Sequence, residues 1–308
     1  MSMIATTTKS AAAAWAMRLR FTLAVAALWA GLHFIAGQAL PGGFHRPIVL
    51  SGSAGGLLAG LLVIGLVWAG AAFAALFVDR HDRRLSLIVI GLALALWAAE
   101  GGRQGGTMDD WLIQSNERPG PPTAGAYWRL LGDYVFLLVA LAGAHVIVTW
   151  IGTRHGSAEP TGQVPRRALG LAVPAEGRRQ GLQTLLITTI VAGVAVFILT
   201  GPSLATTYRG QVFFAVALGM FAGVFAARRV VKTREPLWYW PAPILLGVIG
   251  LIVAGLRPGL MLQGHALNVI PAWGLSRALP VEMVGVGLVG ALWMLHPPTA
   301  DGGSPDAG

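Results

Sequence analysis

Residues 255–282 read GLRPGLMLQGHALNVIPAWGLSRALPVE, and what stands on either side of them decides the fold. Two strongly apolar runs, at about 239–256 and 281–296, flank a connection that holds Arg257, His265 and Arg277, with Glu282 just inside the second run. Charge beside so much apolar surface is costly unless it has a partner, water or a ligand. The stretch is therefore both a turn between membrane segments and the first candidate for a functional site.

Composition extends this reading to the whole chain. Of 308 residues, 55% are hydrophobic and only 11% charged, with a mean hydropathy of +0.66, more apolar surface than a soluble core can hide. The bilayer must then be the solvent for much of it. The 42 glycines suit close approach of helices in lipid, whereas the short alternating strands of a membrane barrel are missing, so the expected class is all-α integral membrane. No cysteine is present, which excludes disulfides, thiolate nucleophiles and Cys-ligated metal. The net charge of +9 lies in short connections between apolar runs, a pattern of membrane orientation and anionic-lipid contact, not of nucleic-acid binding.

Eight apolar runs near spanning length are expected, at about 20–40, 54–78, 85–99, 127–150, 182–200, 210–230, 239–256 and 281–296. With the N-terminus inside, fifteen of the 22 lysines and arginines fall in inner connections. The outer seven are Arg46, Arg103, Arg118, Arg129, Arg209, Arg257 and Arg277. That bias places both termini in the cytoplasm. A Gly-, Pro- and Arg-rich linker at 152–180 divides a four-helix half, 1–151, from a second, 181–298, and 299–308 reads as a disordered tail. Arg129, Asp133 and Gly143-Ala144 in the first half match Arg277, Glu282 and Gly290-Ala291 in the second at similar spacing, the mark of a parallel 4+4 duplication.

Several residues carry chemistry beside a plainer reading. Arg257 and Arg277 at the outer boundary suit a bidentate grip on a lipid phosphate, or else snorkelling or an ion pair with Glu282. Pro258-Gly259 breaks the ascending helix and frees backbone N–H groups. Asp133 and Glu282, about one turn into their helices, are general bases or proton carriers, or partners of Arg129 and Arg277. The segment EGGRQGG, Glu100 to Gly106, sets Glu100 and Arg103 in a glycine-rich turn that suits an anion nest or a simple helix exit. His33 and His145 invite haem, but their depths differ by roughly 12 Å at 1.5 Å per residue, so no cofactor and no metal is expected.

The second half resembles the bacterial prolipoprotein diacylglyceryl transferases. Arg257-Pro258-Gly259 and Gly264 stand where that family has Gly-Arg-x-Gly-Asn-Phe-x-Asn-Gly-Glu, Pro271-Ala272-Trp273-Gly274 echoes its Pro-Trp-Gly element, and Arg277-Ala278-Leu279-Pro280-Val281-Glu282 echoes its Arg-x-Pro-x-Gln helix start. The family histidine falls on Phe214, its first signature asparagine on Leu260 and its glutamate on His265. The resemblance implies a multi-pass protein of the bacterial inner membrane, with an anionic phospholipid and a lipoprotein precursor peptide as partners. It further implies transfer of diacylglycerol to a lipoprotein cysteine. Arg257, Arg277, Gly259, Gly264 and Arg103 would then bind phosphate, and His265 or Glu282 would take the thiol proton. A catalytically inactive lipid-binding scaffold and a transporter stand as alternatives.

Overall fold

A computed structural model of the chain describes residues 2–40, 48–51, 54–79, 82–100, 124–154, 173–200, 208–231, 233, 235–256, 262–263, 269–270 and 274–295. The expected tail and most of the expected linker lie outside these residues. Helix α1 spans Ser2–Gly31 and continues through a π-helical segment, Leu32–Ala36, to Ala39. There follow α2 (Ala54–Phe77), α3 (Arg83–Glu100), α4 (Ala124–Arg154), α5 (Ala175–Thr200), α6 (Arg209–Val230), α7 (Ala242–Leu256) and α8 (Pro280–Trp293). Helix α5 thus begins inside the expected linker. Between α7 and α8 a two-residue antiparallel ladder, β1 (Leu262–Gln263) with β2 (Val269–Ile270), pairs Leu262 with Ile270 and Gln263 with Val269. So short a pairing has no signature in the residues themselves.

Six helices among the described residues are long and apolar enough to cross a membrane: Ala12–Ala39, Gly55–Phe77, Tyr127–Arg154, Ala175–Thr200, Arg209–Val230 and Pro236–Leu256. The other two expected runs are helical but differ in kind. Helix α3 has 18 residues and carries Arg83, Arg84 and Glu100 at its ends. Helix α8 has 14 residues, a length of about 21 Å against a hydrocarbon core of about 30 Å.

Helix α8 is the centre of the bundle. Every residue from Pro280 to Leu292 is buried except the half-buried Val289. It packs against α3, α6, α7 and α4. Lipid supplies no hydrophobic drive between helices, so close packing of small residues must do the work. A Cβ on Gly285 would stand 2.7 Å from the Ala95 backbone nitrogen of α3, closer than real contacts allow, so the two backbones meet there only because both sides are small. The outer helices reverse the soluble pattern. On α5, Leu182, Leu186, Ile190, Val194 and Ile198 recur every fourth residue on the exposed face, while Thr184, Thr188, Ala192 and Val196 turn inward. That is a helix presenting its apolar stripe to lipid tails.

Both ends of α8 are closed by ionic groups. At its start Pro280 needs no hydrogen-bond partner, and Glu282 Oε2 accepts the Leu279 N–H at 2.9 Å. At its end, Arg228 Nη1 donates to Met294 O at 2.8 Å and Arg84 Nη1 donates to Leu295 O. An acid at the N-terminus and two cations at the C-terminus both oppose the helix dipole, each worth about 0.3–1 kcal/mol and up to about 2 when partly buried. The same end of the bundle gathers Arg18, Arg20, Arg154 and Arg229, each lying over the ring of Trp15, Phe77, Trp150 or Phe225 respectively. Guanidinium groups stacked on aromatic rings at helix ends are how a membrane boundary is dressed.

Candidate functional site

The opposite end of the bundle is polar in a different way, with acids and bases interleaved. It is built where α1, α3 and α5 finish and α6 and α8 begin. Arg209, the first residue of α6, donates from Nη1 to Ala99 O at 2.6 Å, and its Nε lies 3.6 Å from Glu282 Oε1. Glu100, the last residue of α3, places Oε2 2.6 Å from Nδ1 of His33. A thread of ionisable groups therefore runs His33, Glu100, Arg209, Glu282 across four helices. Side-chain exposure along it is 19%, 35%, 15% and 2%, so access falls from Glu100 toward α8. Three of the four are partly exposed, and Glu282 is interior.

Arg277 joins this end from the short turn Gly274–Ser276 that precedes α8. It is buried, and Nη1 donates to Thr200 O, an end carbonyl of α5, at 2.7 Å. The turn comes that close because Gly274 has no side chain, since a Cβ there would sit 2.1 Å from Thr200 Oγ1. A guanidinium bonded to a helix-end carbonyl satisfies an otherwise orphaned acceptor and fixes the cation in place.

The residues expected from the sequence divide as follows. Arg277, Glu282 and Glu100 come to this end of the bundle, whereas Arg103, Arg257, Gly259, Gly264, Leu260 and His265 lie outside the described residues. For Glu282 the sequence offered Arg277 as the ion-pair partner, and the structure supplies Arg209. Asp133 is fully buried, and its Oδ2 accepts the Leu50 N–H at 2.9 Å, while Ser51 Oγ donates to Arg129 O at 2.6 Å. The Asp133 region thus ties residues 50–51 to α4, and the Arg129 side chain is exposed. Phe214, at the position of the family histidine, is 60% exposed on the outer face of α6. His145 is buried with its ring 6.1 Å from that of Trp240 on the far side of the fold, separate from His33.

Two contributors escaped the sequence reading. Arg209 bears in the sequence only on orientation, yet its signal is there: Arg209 and Arg277 each stand at or just before the start of a helix. For His33 the sequence suggests haem alone, against which its depth relative to His145 argues. Its partner, Glu100, lies 67 residues away, and nothing local joins them. Chemically, the assembled end offers a fixed guanidinium in Arg277, a mostly buried one in Arg209, and an imidazole beside a carboxylate. That set can hold a phosphate and move a proton. No protein-family model, no curated protein and no solved structure matches this chain.

Proposed function

We propose that this multi-pass protein holds the phosphate of an anionic phospholipid at its outer-leaflet end, in the manner of the prolipoprotein diacylglyceryl transferases it resembles, and transfers diacylglycerol to a lipoprotein cysteine. The observation that carries the reading is the convergence of Arg209 and Arg277 on the start of α8, where Glu282 keeps Arg209 in position from a buried site. Two guanidinium groups at a headgroup boundary suit a phosphodiester, and cations placed there would stabilise the departing glycerol phosphate. Arg257 and His265, from the connection before α8, complete the proposed set, with Gly259, Gly264 and Arg103 lending backbone or charge.

The membrane frame belongs to the same proposal: eight crossings, both termini cytoplasmic, in a bacterial inner membrane, from a parallel duplication. Helix neighbours support the duplication. Shifting each label by four carries α2 on α4 to α6 on α8, α1 on α3 to α5 on α7, and α3 on α8 to α7 on α4, all of them observed pairs. Gly143 packs on Trp68 of α2 as Gly290 packs on Ala217 of α6, again equivalent helices. The basic end that carries Arg18, Arg84, Arg154 and Arg228 supports the cytoplasmic assignment.

One observation favours a second reading, a lipid-binding scaffold without turnover. Phe214 faces outward where the family has histidine, so α6 brings no base to the site. Transfer of labelled diacylglycerol from phosphatidylglycerol to a lipobox peptide decides between them. Wild-type transfer that disappears in Arg257→Ala and Arg277→Ala upholds the transferase. Undiminished transfer in both variants sinks it, and bound phosphatidylglycerol without any transfer selects the scaffold.

A further inference from the structure

His33 lies in the π-helical segment Leu32–Ala36, an interruption near the outer end of α1. Single π turns inside α-helices are rare and recur at functional sites. Here the segment brings the imidazole to the end of α3, with Nδ1 2.6 Å from Glu100 Oε2 and the ring flanked by Trp29 and Phe34 at centroid distances of 5.5 and 4.6 Å. A carboxylate that accepts from Nδ1–H selects one tautomer and makes Nε2 the lone-pair nitrogen. Aromatic neighbours and the carboxylate together restrict the ring's rotation. One residue before Glu100, Ala99 O receives Arg209. The dyad and the guanidinium therefore share a corner.

Glu282 cannot serve equally well as a base. Its Oε2 closes the first turn of α8, its Oε1 faces Arg209, and the side chain is 2% exposed. We propose that His33, held by the positioning residue Glu100, is the proton acceptor of the outer end, and that it serves a thiol or hydroxyl nucleophile attacking a phospholipid whose phosphate lies on Arg209 and Arg277. The inference rests on the lipid reading above. In the step, a sulfur–carbon or oxygen–carbon bond forms at the glycerol carbon as the carbon–oxygen bond to phosphate breaks. The nucleophile's proton passes to Nε2 and from there to the departing phosphate-ester oxygen, so no oxidant or further reactant is needed.

The test is diethyl pyrocarbonate acylation of the full-length protein in phosphatidylglycerol nanodiscs, quantified by peptide mass spectrometry and normalised to the same peptides in SDS. Buried His145 is the internal control. His33 should acylate several-fold faster than His145, Glu100→Gln should slow His33 several-fold without touching His145, and Glu100→Asp should restore part of the rate. In the transfer assay His33→Gln should lower kcat by about 10²-fold or more with little change in KM. Equal rates for His33 and His145, or indifference to Glu100→Gln, overturn the proposal. Wild-type protein that transfers nothing while His33 keeps its Glu100-dependent reactivity refutes the transfer chemistry and upholds the base.

Discussion

Glu282 does two separable things, and substitution can measure each. Its Oε2 accepts the Leu279 N–H, a first-turn closure worth about 1 kcal/mol in typical helices. Its charge faces Arg209 across 3.6 Å from a side chain only 2% exposed. Removing one partner of a buried pair costs about 3–5 kcal/mol because the other charge is left uncompensated. Arg209 is 15% exposed and also bonded to Ala99 O, so part of that cost is recovered by solvent and by the carbonyl. Glu282→Gln, which keeps an acceptor for Leu279, should therefore destabilise by about 2 kcal/mol, and Glu282→Ala by about 3 kcal/mol. Equilibrium unfolding in mixed micelles, followed through the eleven tryptophans, reads both values. Combining either with Arg209→Met should return about 1–2 kcal/mol of coupling. A Glu282→Ala protein within about 0.5 kcal/mol of wild type would refute the claim that this acid organises the start of α8.

Other substitutions probe other parts of the scheme. Gly285→Ala puts a methyl 2.7 Å from the Ala95 nitrogen and should cost about 1–3 kcal/mol in the same unfolding assay, whereas Gly65→Ala, with nothing near its Cβ, should be neutral. Arg84→Ala and Arg228→Ala should each loosen the end of α8 by about 1 kcal/mol, read as faster amide exchange in residues 290–295. Asp133→Ala should free residues 48–51 and raise their exchange, while Asp133→Asn, which still accepts from Leu50, should change them little. Epitope tags at either terminus should be reached by antibody only after the membrane is permeabilised; labelling of intact cells would reverse the assigned orientation.

The sequence was most informative where one dimension suffices. Apolar runs separated by arginine-bearing turns are local patterns, and each expected run falls on a helix, although α1 begins 18 residues and α5 seven residues before the run that marks it. Helix α8 shows what was missed. An apolar run looks the same whether lipid or protein surrounds it, so the 281–296 run carries no sign that its helix is only 14 residues long and wrapped by α3, α4, α6 and α7. The candidate site was half legible for a related reason. Arg277 and Glu282 announce themselves as charges beside apolar runs, but the ion-pair partner comes from α6, 73 positions earlier in the chain, and only the packing of α6 on α8 reveals it. Asp133 follows the same rule, because its partner Leu50 is 83 residues away. Propensity and spacing carry no record of such pairings.

The most direct test of the central claim is native mass spectrometry of the protein released from nanodiscs containing equal phosphatidylglycerol and phosphatidylcholine. The account predicts retained phosphatidylglycerol in preference to phosphatidylcholine. That preference should vanish in a folded Arg209→Gln, Arg277→Gln double variant. Equal retention of the two lipids by wild type, or an unchanged preference in the double variant, would contradict a phosphate site at the outer end of α8.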